Sequence, residues 1–209
     1  MPLTAARAGS VSVFAPIGPP DSTWRSLGQS WLPTPEPAFQ PGWARFLWTP
    51  EALIGEAVFS GRQQSNRGTH LNDWLWELGD VCELFVKREG EPRYLEIHVS
   101  PENARLQLAW DLTGHPRLAA GEGKLDDFLV EDPAWVSSTV RRSPVSWAVR
   151  ISIPASRLGL ESFSLGIALR AAVCRYDYNG NPVAALSSTA PLSVPSYHRW
   201  MEWSLITLV

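Results

Sequence analysis

Two acidic residues, Glu83 and Glu96, stand on neighbouring runs of alternating apolar and polar residues, just behind a pair of tryptophans, Trp74 and Trp76. In the first run a period of two puts Cys82, Leu84 and Val86 on one face and Glu83, Phe85 and Lys87 on the other. In the second it puts Leu95, Ile97 and Val99 inward and Tyr94, Glu96 and His98 outward. A turn rich in Gly, Glu, Pro and Arg separates them, which reads as a β-hairpin. If Lys87 pairs near Pro92, then Phe85 lies opposite Tyr94 and Glu83 opposite Glu96. Like charges across a ladder are unfavourable by roughly 0.2–1 kcal/mol, and such local conflicts are expected at functional sites. A pairing slipped by two, or a nearby arginine, would remove the conflict.

Three chemistries suit these residue types. Paired carboxyl groups about 5 Å apart at Cβ approach the separation used by retaining glycosidases. A hairpin surface excludes water poorly, however, and the chain has no Gly-x-Ser-x-Gly and no nucleotide loop, so no enzyme is expected. The second chemistry is stacking: a pyranose has apolar C–H faces and a rim of hydroxyls, so its site needs flat aromatic surfaces edged by charged or amide groups. Eleven tryptophans supply the surfaces, with core or rim packing as the competing role for Trp74 and Trp76. The third is metal binding. Asp80, Asp111, Asp126 and Asp127 offer hard oxygen ligands for calcium, yet nothing has the spacing of a calcium loop. His70, His98, His115 and His198 lack zinc-ligand spacing.

The elements that must hold these groups are strands. Ala44–Trp48 and Leu53–Phe59 alternate about Thr49-Pro50-Glu51, and Leu106–Asp111 follows the central hairpin. Trp135–Val140 and Ser146–Pro154 read as further strands, the latter with Trp147, Val149, Ile151 and Ile153 on one side. One helical turn, Ala155–Leu160, is closed by Gly159. In Ser164–Val173, Ile167, Leu169, Ala171 and Val173 point inward, Arg170, Ala172 and Cys174 outward. Ser60–Asn72 is a polar loop that can wall a site, and Asp177–Pro182 is a turn by composition. Residues 1–43 hold eight of the eighteen prolines, so they are read as irregular chain packed over the core, pinned by Trp24, Trp31 and Trp43, with Val11–Phe14 as an edge strand. Frequent turns without long helical periodicity predict an all-β, antiparallel two-sheet β-sandwich of jelly-roll type, residues 1–209 forming a single domain.

A net charge of -3 and no basic stripe argue against nucleic acid or an anionic membrane as partner. No apolar run approaches the roughly 20 residues that span a bilayer, so a soluble protein is expected; no secretory signal is visible, which favours the cytoplasm unless the N-terminus has been trimmed. Cys82 and Cys174 are expected to be free thiols, Cys82 in the core.

The pattern Leu75-Trp76, Asp80-Val-Cys-Glu83-Leu-Phe85, Tyr94-Leu-Glu96 and Val99-Ser-Pro101, with Trp147-x-Val-x-Ile-x-Ile-Pro154 and Leu158-Gly159, resembles family 9 carbohydrate-binding modules and their DOMON-like relatives over residues 44–208. The resemblance implies non-catalytic binding of a mono- or oligosaccharide without a cofactor. Trp76 (or Trp74, since Trp76 stands seven residues before Glu83 where six is usual) and Tyr197 would stack on the ring. Glu83 would hold hydroxyls together with Arg170, with Glu96 beside it and Arg105 or Asn103 in the remaining place. Two departures mark this chain: Leu186 stands where many relatives carry Trp, and Val194 where an amide helps hold the sugar. Calcium occurs in such modules. Some DOMON-like domains instead carry a b-type haem, for which Met201, His198, His98, His70 or a lysine would be the ligands; a scaffold without a small ligand is the remaining alternative.

Overall fold

The computed structural model describes residues 3–8 and 23–209; the expected edge strand at Val11–Phe14 lies outside them. Twelve strands form among the described residues: β1 (Leu3–Arg7), β2 (Arg25–Ser26), β3 (Gly42–Trp48), β4 (Ala52–Ser60), β5 (Val81–Arg88), β6 (Arg93–Val99), β7 (Arg105–Asp111), β8 (Ser137–Ser143), β9 (Ser146–Pro154), β10 (Ala168–Asp177), β11 (Ala185–Ser188) and β12 (Ser204–Leu208). Their order is β7-β6-β5-β10-β12-β1-β3-β4-β9-β8, with β11 on β10 and β2 on β3.

The fold is mostly β, as expected, but two finer expectations are corrected. The sheet is mixed, because β1 runs parallel to β12, with Thr4 beside Thr207, and parallel to β3, with Ala6 beside Leu47. By lying between them it joins what would have been two antiparallel sheets into one curled sheet. Leu-Thr-Ala-Ala-Arg is short and lacks alternation, so nothing in its pattern marks it as the linking strand.

The two halves of the curled sheet bury their inner faces on each other. Cys82, Leu84 and Val86 of β5, Leu95, Ile97 and Val99 of β6, and Leu169, Ala171 and Val173 of β10 meet Phe46, Phe59, Trp147, Val149, Ile151 and Ile153 of β3, β4 and β9. Those of β5, β6 and β10 are the residues that the period of two placed inward, and those of β9 are the ones it placed together on one side. The approach is close: a Cβ added to Gly55 on β4 would lie 2.2 Å from Leu84 Cδ1, so a side chain there would collide with the opposite half. Full burial of each large apolar side chain contributes roughly 1.5–3 kcal/mol.

The register of the central hairpin differs from the simple pairing. Val86 sits opposite Leu95, Phe85 opposite Glu96 and Glu83 opposite His98, a slip of two that relieves the like-charge contact. The turn takes residues 89–92, one residue further along the chain than a turn between Lys87 and Pro92, and that displacement sets the slip. On the other side of β5, Glu83 faces Cys174 and Phe85 faces Ala172 of β10.

The outer face of β5, β6, β7 and β10 is covered as well. The segment from Ala190 to Trp203 folds over it, and Phe85, Tyr94, Trp110, Cys174, Leu192, Tyr197 and Trp203 form a second apolar cluster there. The Trp203 indole donates to the Tyr197 carbonyl at 2.7 Å, tying the cover to itself. A short helix, α2 (Gly114–Ala119), and a 3₁₀ turn at Leu125–Phe128 close the remaining edge, where the pattern showed only glycine and proline. Phe128 stacks on Trp110 at 4.2 Å. Within the Pro-rich segment, Trp24 is buried beneath the Arg45 guanidinium, 4.6 Å from its ring, while Trp31 and Trp43 are half-buried. Cys82 and Cys174 are both free and both buried, Cys174 because the outer face is covered.

Candidate functional site

Between the outer face of the hairpin and its cover lies a cavity of about 280 Å³. β5 contributes Glu83, β6 Glu96 and His98, β7 Leu108 and Trp110, and β10 Tyr176; α2 contributes His115, and the covering loop Pro195 to His198. Trp76 forms one wall from α1 (Leu75–Leu78), a single helical turn in a stretch that reads as link between polar loop and strand. Asn66 fixes this turn, its side-chain amide donating to the Leu75 carbonyl at 2.8 Å and the Asp80 carbonyl at 3.1 Å.

The polar floor is a chain of close contacts in a buried place. His98 Nε2 meets Glu96 Oε1 at 2.6 Å and Glu83 Oε1 at 3.4 Å. The Trp110 indole donates to the other Glu96 oxygen at 2.6 Å, and His198 Nε2 stands 3.7 Å from that same oxygen. The Tyr94 hydroxyl and His198 Nδ1 are hydrogen-bonded at 2.8 Å. His115 stacks on His198 with centroids 3.6 Å apart. Glu83, Glu96 and His98 are 3%, 4% and 1% exposed, far drier than a hairpin surface would be.

That dryness sets the charges. Burial pushes the Glu83 carboxyl up to about 8, against the pull of His98 and with a further push from Glu96. Burial acts on Glu96 too, but His198, His98 and the Trp110 indole together hold it below the ordinary range. His98 is destabilised as a cation by burial, yet Glu83 and Glu96 raise it overall. Burial drives His198 down to about 4, so near neutral pH it is an uncharged imidazole.

Of the residues singled out from sequence, Trp76, Glu83, Glu96 and Tyr197 all line this cavity. Trp74 stacks on Trp76, centroids 5.5 Å apart and planes 14° from parallel, and is 45% exposed at the rim. Tyr197 is buried: its hydroxyl donates to the Arg175 carbonyl at 2.7 Å and accepts from the Ser187 N–H at 3.0 Å. Arg170 is a correction. It points outward as its parity requires, but it sits opposite Lys87, four residues along β10 from Cys174 beside Glu83. There it pairs with Glu89 and donates to the Met201 carbonyl at 3.2 Å, and it does not line the cavity. Arg105 and Asn103 are likewise engaged elsewhere, Arg105 with the carbonyls of Val136 and Pro133 and Asn103 with Ser138. Leu186 and Val194 border a separate groove with Trp31 and Gln29.

Of the proposed calcium ligands, Asp80, Asp111 and Asp127 are each engaged separately, and of the proposed haem ligands His98 and His198 both line the cavity. Asp80 is buried and accepts from Ser65 and Tyr178 N–H groups at 2.9 Å each. Asp111 pairs with Arg117, and Asp127 accepts from the Lys124 N–H at 2.9 Å. His198 faces the cavity while Met201, three residues on, is 73% exposed. Among the described residues, the side chains close enough to hold an ion together are Glu83, Glu96 and His98. The convergence of His98, His115, His198 and Trp110 was missed. For His98 a signal existed, since Glu96-x-His98 at strand spacing opposite Glu83 is a ligand pattern of a sheet rather than of a loop. For His115 and His198 no signal existed, because a helix and a loop bring them in from far along the chain.

No protein-family model matches the sequence, and no curated protein matches it either. Solved structures do. A protein from Bacteroides uniformis, provisionally described as carbohydrate-binding, is similar with a TM-score of 0.71 at 14% identity over 89% of this chain and 86% of that one. A family 9 carbohydrate-binding module from Caldicellulosiruptor kristjanssonii in complex with cellotriose is similar with a TM-score of 0.63 at 11% identity, covering 99% of this chain and 92% of that one. The glucose complex of a family 9 module from the same organism gives 0.64 at 13% identity, with 98% and 94% covered. At such identities the likeness is one of fold, and the fold is that of these carbohydrate-binding proteins.

Proposed function

We propose that the protein is a non-catalytic saccharide-binding module and that the cavity over the central hairpin is its binding site. The observation that carries the reading is the meeting of a flat, partly exposed tryptophan pair with a buried row of acceptors. Trp76, backed by Trp74, offers a face for the C–H side of a sugar ring, and Glu83 and Glu96 offer carboxyl oxygens for its hydroxyls. A volume of about 280 Å³ lies at the small end of ligand sites, which run from about 300 Å³ upward, and suits one terminal ring rather than the middle of a polymer. The neighbouring folds that hold glucose and cellotriose support the ligand class.

Titration calorimetry against glucose, cellobiose, xylobiose and galactose tests this. Saturable heat with at least one of them, lost in Trp76→Ala with the fold retained by circular dichroism, is the expected result; no heat with any saccharide overturns the proposal. One observation favours a second reading, glycoside hydrolysis: the two carboxyls are shifted in opposite directions, Glu83 up and Glu96 down, as in acid and base pairs. Release of aryl alcohol from nitrophenyl glycosides, absent in Glu83→Gln, would establish hydrolysis in place of simple binding.

A further inference from the structure

We propose that Glu83, Glu96 and His98 form a binding site for a divalent first-row transition-metal ion of the zinc type. The inference goes beyond the saccharide reading and does not rest on it.

The geometry comes first. One ligand atom from each of the three residues lies within 4.8 Å of the others, and His98 Nε2 is 2.6 Å from Glu96 Oε1 and 3.4 Å from Glu83 Oε1. Ligands at about 2.0–2.2 Å from a tetrahedral ion stand roughly 3.4 Å apart, so small rotations of two glutamates are enough to open the set around an ion. Glu83 sits directly across the β5–β6 ladder from His98, and Glu96 lies two residues along β6 on the same face, so the ladder fixes all three backbones.

Hydrogen bonding supplies a second, independent observation. His98 Nε2 has one proton to give, and Glu96 at 2.6 Å takes it. Glu83, 3% exposed and facing the cavity, then accepts no hydrogen bond among the described residues; its ion-pair contact is the 3.4 Å approach to the same nitrogen. A buried carboxyl group whose oxygens find no donor is costly. A divalent ion held between the two glutamates and the imidazole would supply the missing partner.

The donor set selects the ion. Calcium takes six to eight oxygens, whereas here the Trp110 indole already occupies one Glu96 oxygen and an imidazole nitrogen lies at the centre. Nitrogen with carboxylate oxygen suits zinc, cobalt or manganese. The indole also acts as the outer partner that orients a ligating carboxylate. His198 Nε2 stands 3.7 Å from that indole-bound oxygen and outside the three-residue set. A bound ion would leave a position open toward the cavity.

The test uses the full chain, free of tags and dialysed against chelator, titrated calorimetrically with zinc, cobalt and calcium chlorides. Saturable one-to-one binding of zinc is expected, with calcium giving none. Glu83→Gln and His98→Ala are each expected to weaken zinc at least about tenfold, while His70→Ala, at an exposed histidine, leaves it unchanged. Cobalt-loaded protein should show visible ligand-field absorption that His98→Ala removes. Glu83→Gln keeps the shape of a side chain that accepts no hydrogen bond, so it decides the matter if His98→Ala fails to fold. Absence of saturable zinc binding, or binding undiminished in Glu83→Gln, overturns the proposal. Saccharide titrations of the chelated protein separate the two ideas. Sugar heat without zinc uptake removes the metal alone, and zinc uptake without sugar heat removes the saccharide reading alone.

Discussion

Strands β5, β6 and β10 are buried on both faces, and the two faces are built differently. The inner face is apolar from Cys82, Leu84 and Val86 through Ile97 to Val173 and closes on the other half of the sheet, with the buried Arg175–Asp177 ion pair where β10 ends. The outer face carries Glu83, Lys87, Glu96 and His98 among its aromatics, and it closes on a loop, a short helix and a 3₁₀ turn. Apolar surfaces that fit each other leave no void. A surface that keeps charged groups under a separate cover leaves room, and the room is the cavity. On the proposed function, stability belongs to one face and binding to the other.

The largest effect expected from breaking this division is on the inner face. Trp147 is 1% exposed and packs against Phe59 at 4.8 Å. Trp147→Ala should cost about 3–5 kcal/mol in guanidinium denaturation, while ligand affinity measured on the folded fraction stays unchanged. Loss of affinity in a protein that remains folded would show that the two faces are coupled.

Glu83→Gln reverses the pattern. Ligand binding should be lost, and stability should rise above about pH 8. The folded carboxyl titrates near 8 against 4.5 ordinarily, so the native state binds the extra proton between those values. Its stability is therefore greatest below the lower value and is lost as pH rises through the higher. Glutamine cannot ionise and escapes the loss, a gain on the order of 1–3 kcal/mol at pH 9. Denaturation midpoints at pH 5 and pH 9 measure it; a variant less stable than wild type at both would mean that the carboxylate supports the fold.

Much of this was legible in the chain. Alternation placed the inner face residue by residue, because period two and burial agree there. It also placed Glu83, Glu96 and His98 together on the opposite face. It could not show that this face is covered, since a polar alternating position reads as solvent-facing whether or not a distant loop folds over it. The cover draws on Ala190–Trp203 and α2, whose contacts with the hairpin are set by tertiary packing and have no local period. The register failed for a local reason: the observed turn, residues 89–92, has four residues, as would one between Lys87 and Pro92, but lies one residue further along the chain, and that displacement shifts the pairing by two. β1 was invisible because five residues with two alanines carry no pattern.

The smallest expected effect sharpens the comparison at its boundary. Arg170 shares the outer face with Glu83, and resemblance to family 9 modules places it on the sugar. Yet β10 carries it past the cavity, to the end where Glu89 pairs with it and the carbonyls of Met201 and Trp203 accept from it at 3.2 and 3.4 Å. If the outer face is divided, with binding at the Cys174 end and fastening of the cover at the Arg170 end, then Arg170→Ala should leave saccharide affinity within about twofold. Its ion pair is partly exposed, so that term is worth about 0–1 kcal/mol. The carbonyl contacts fasten the loop that carries His198, so their loss should appear as faster amide exchange between residues 198 and 204 before it appears in the denaturation midpoint. A tenfold loss of affinity with exchange unchanged would instead place the guanidinium at the ligand, and the division of the outer face would fall.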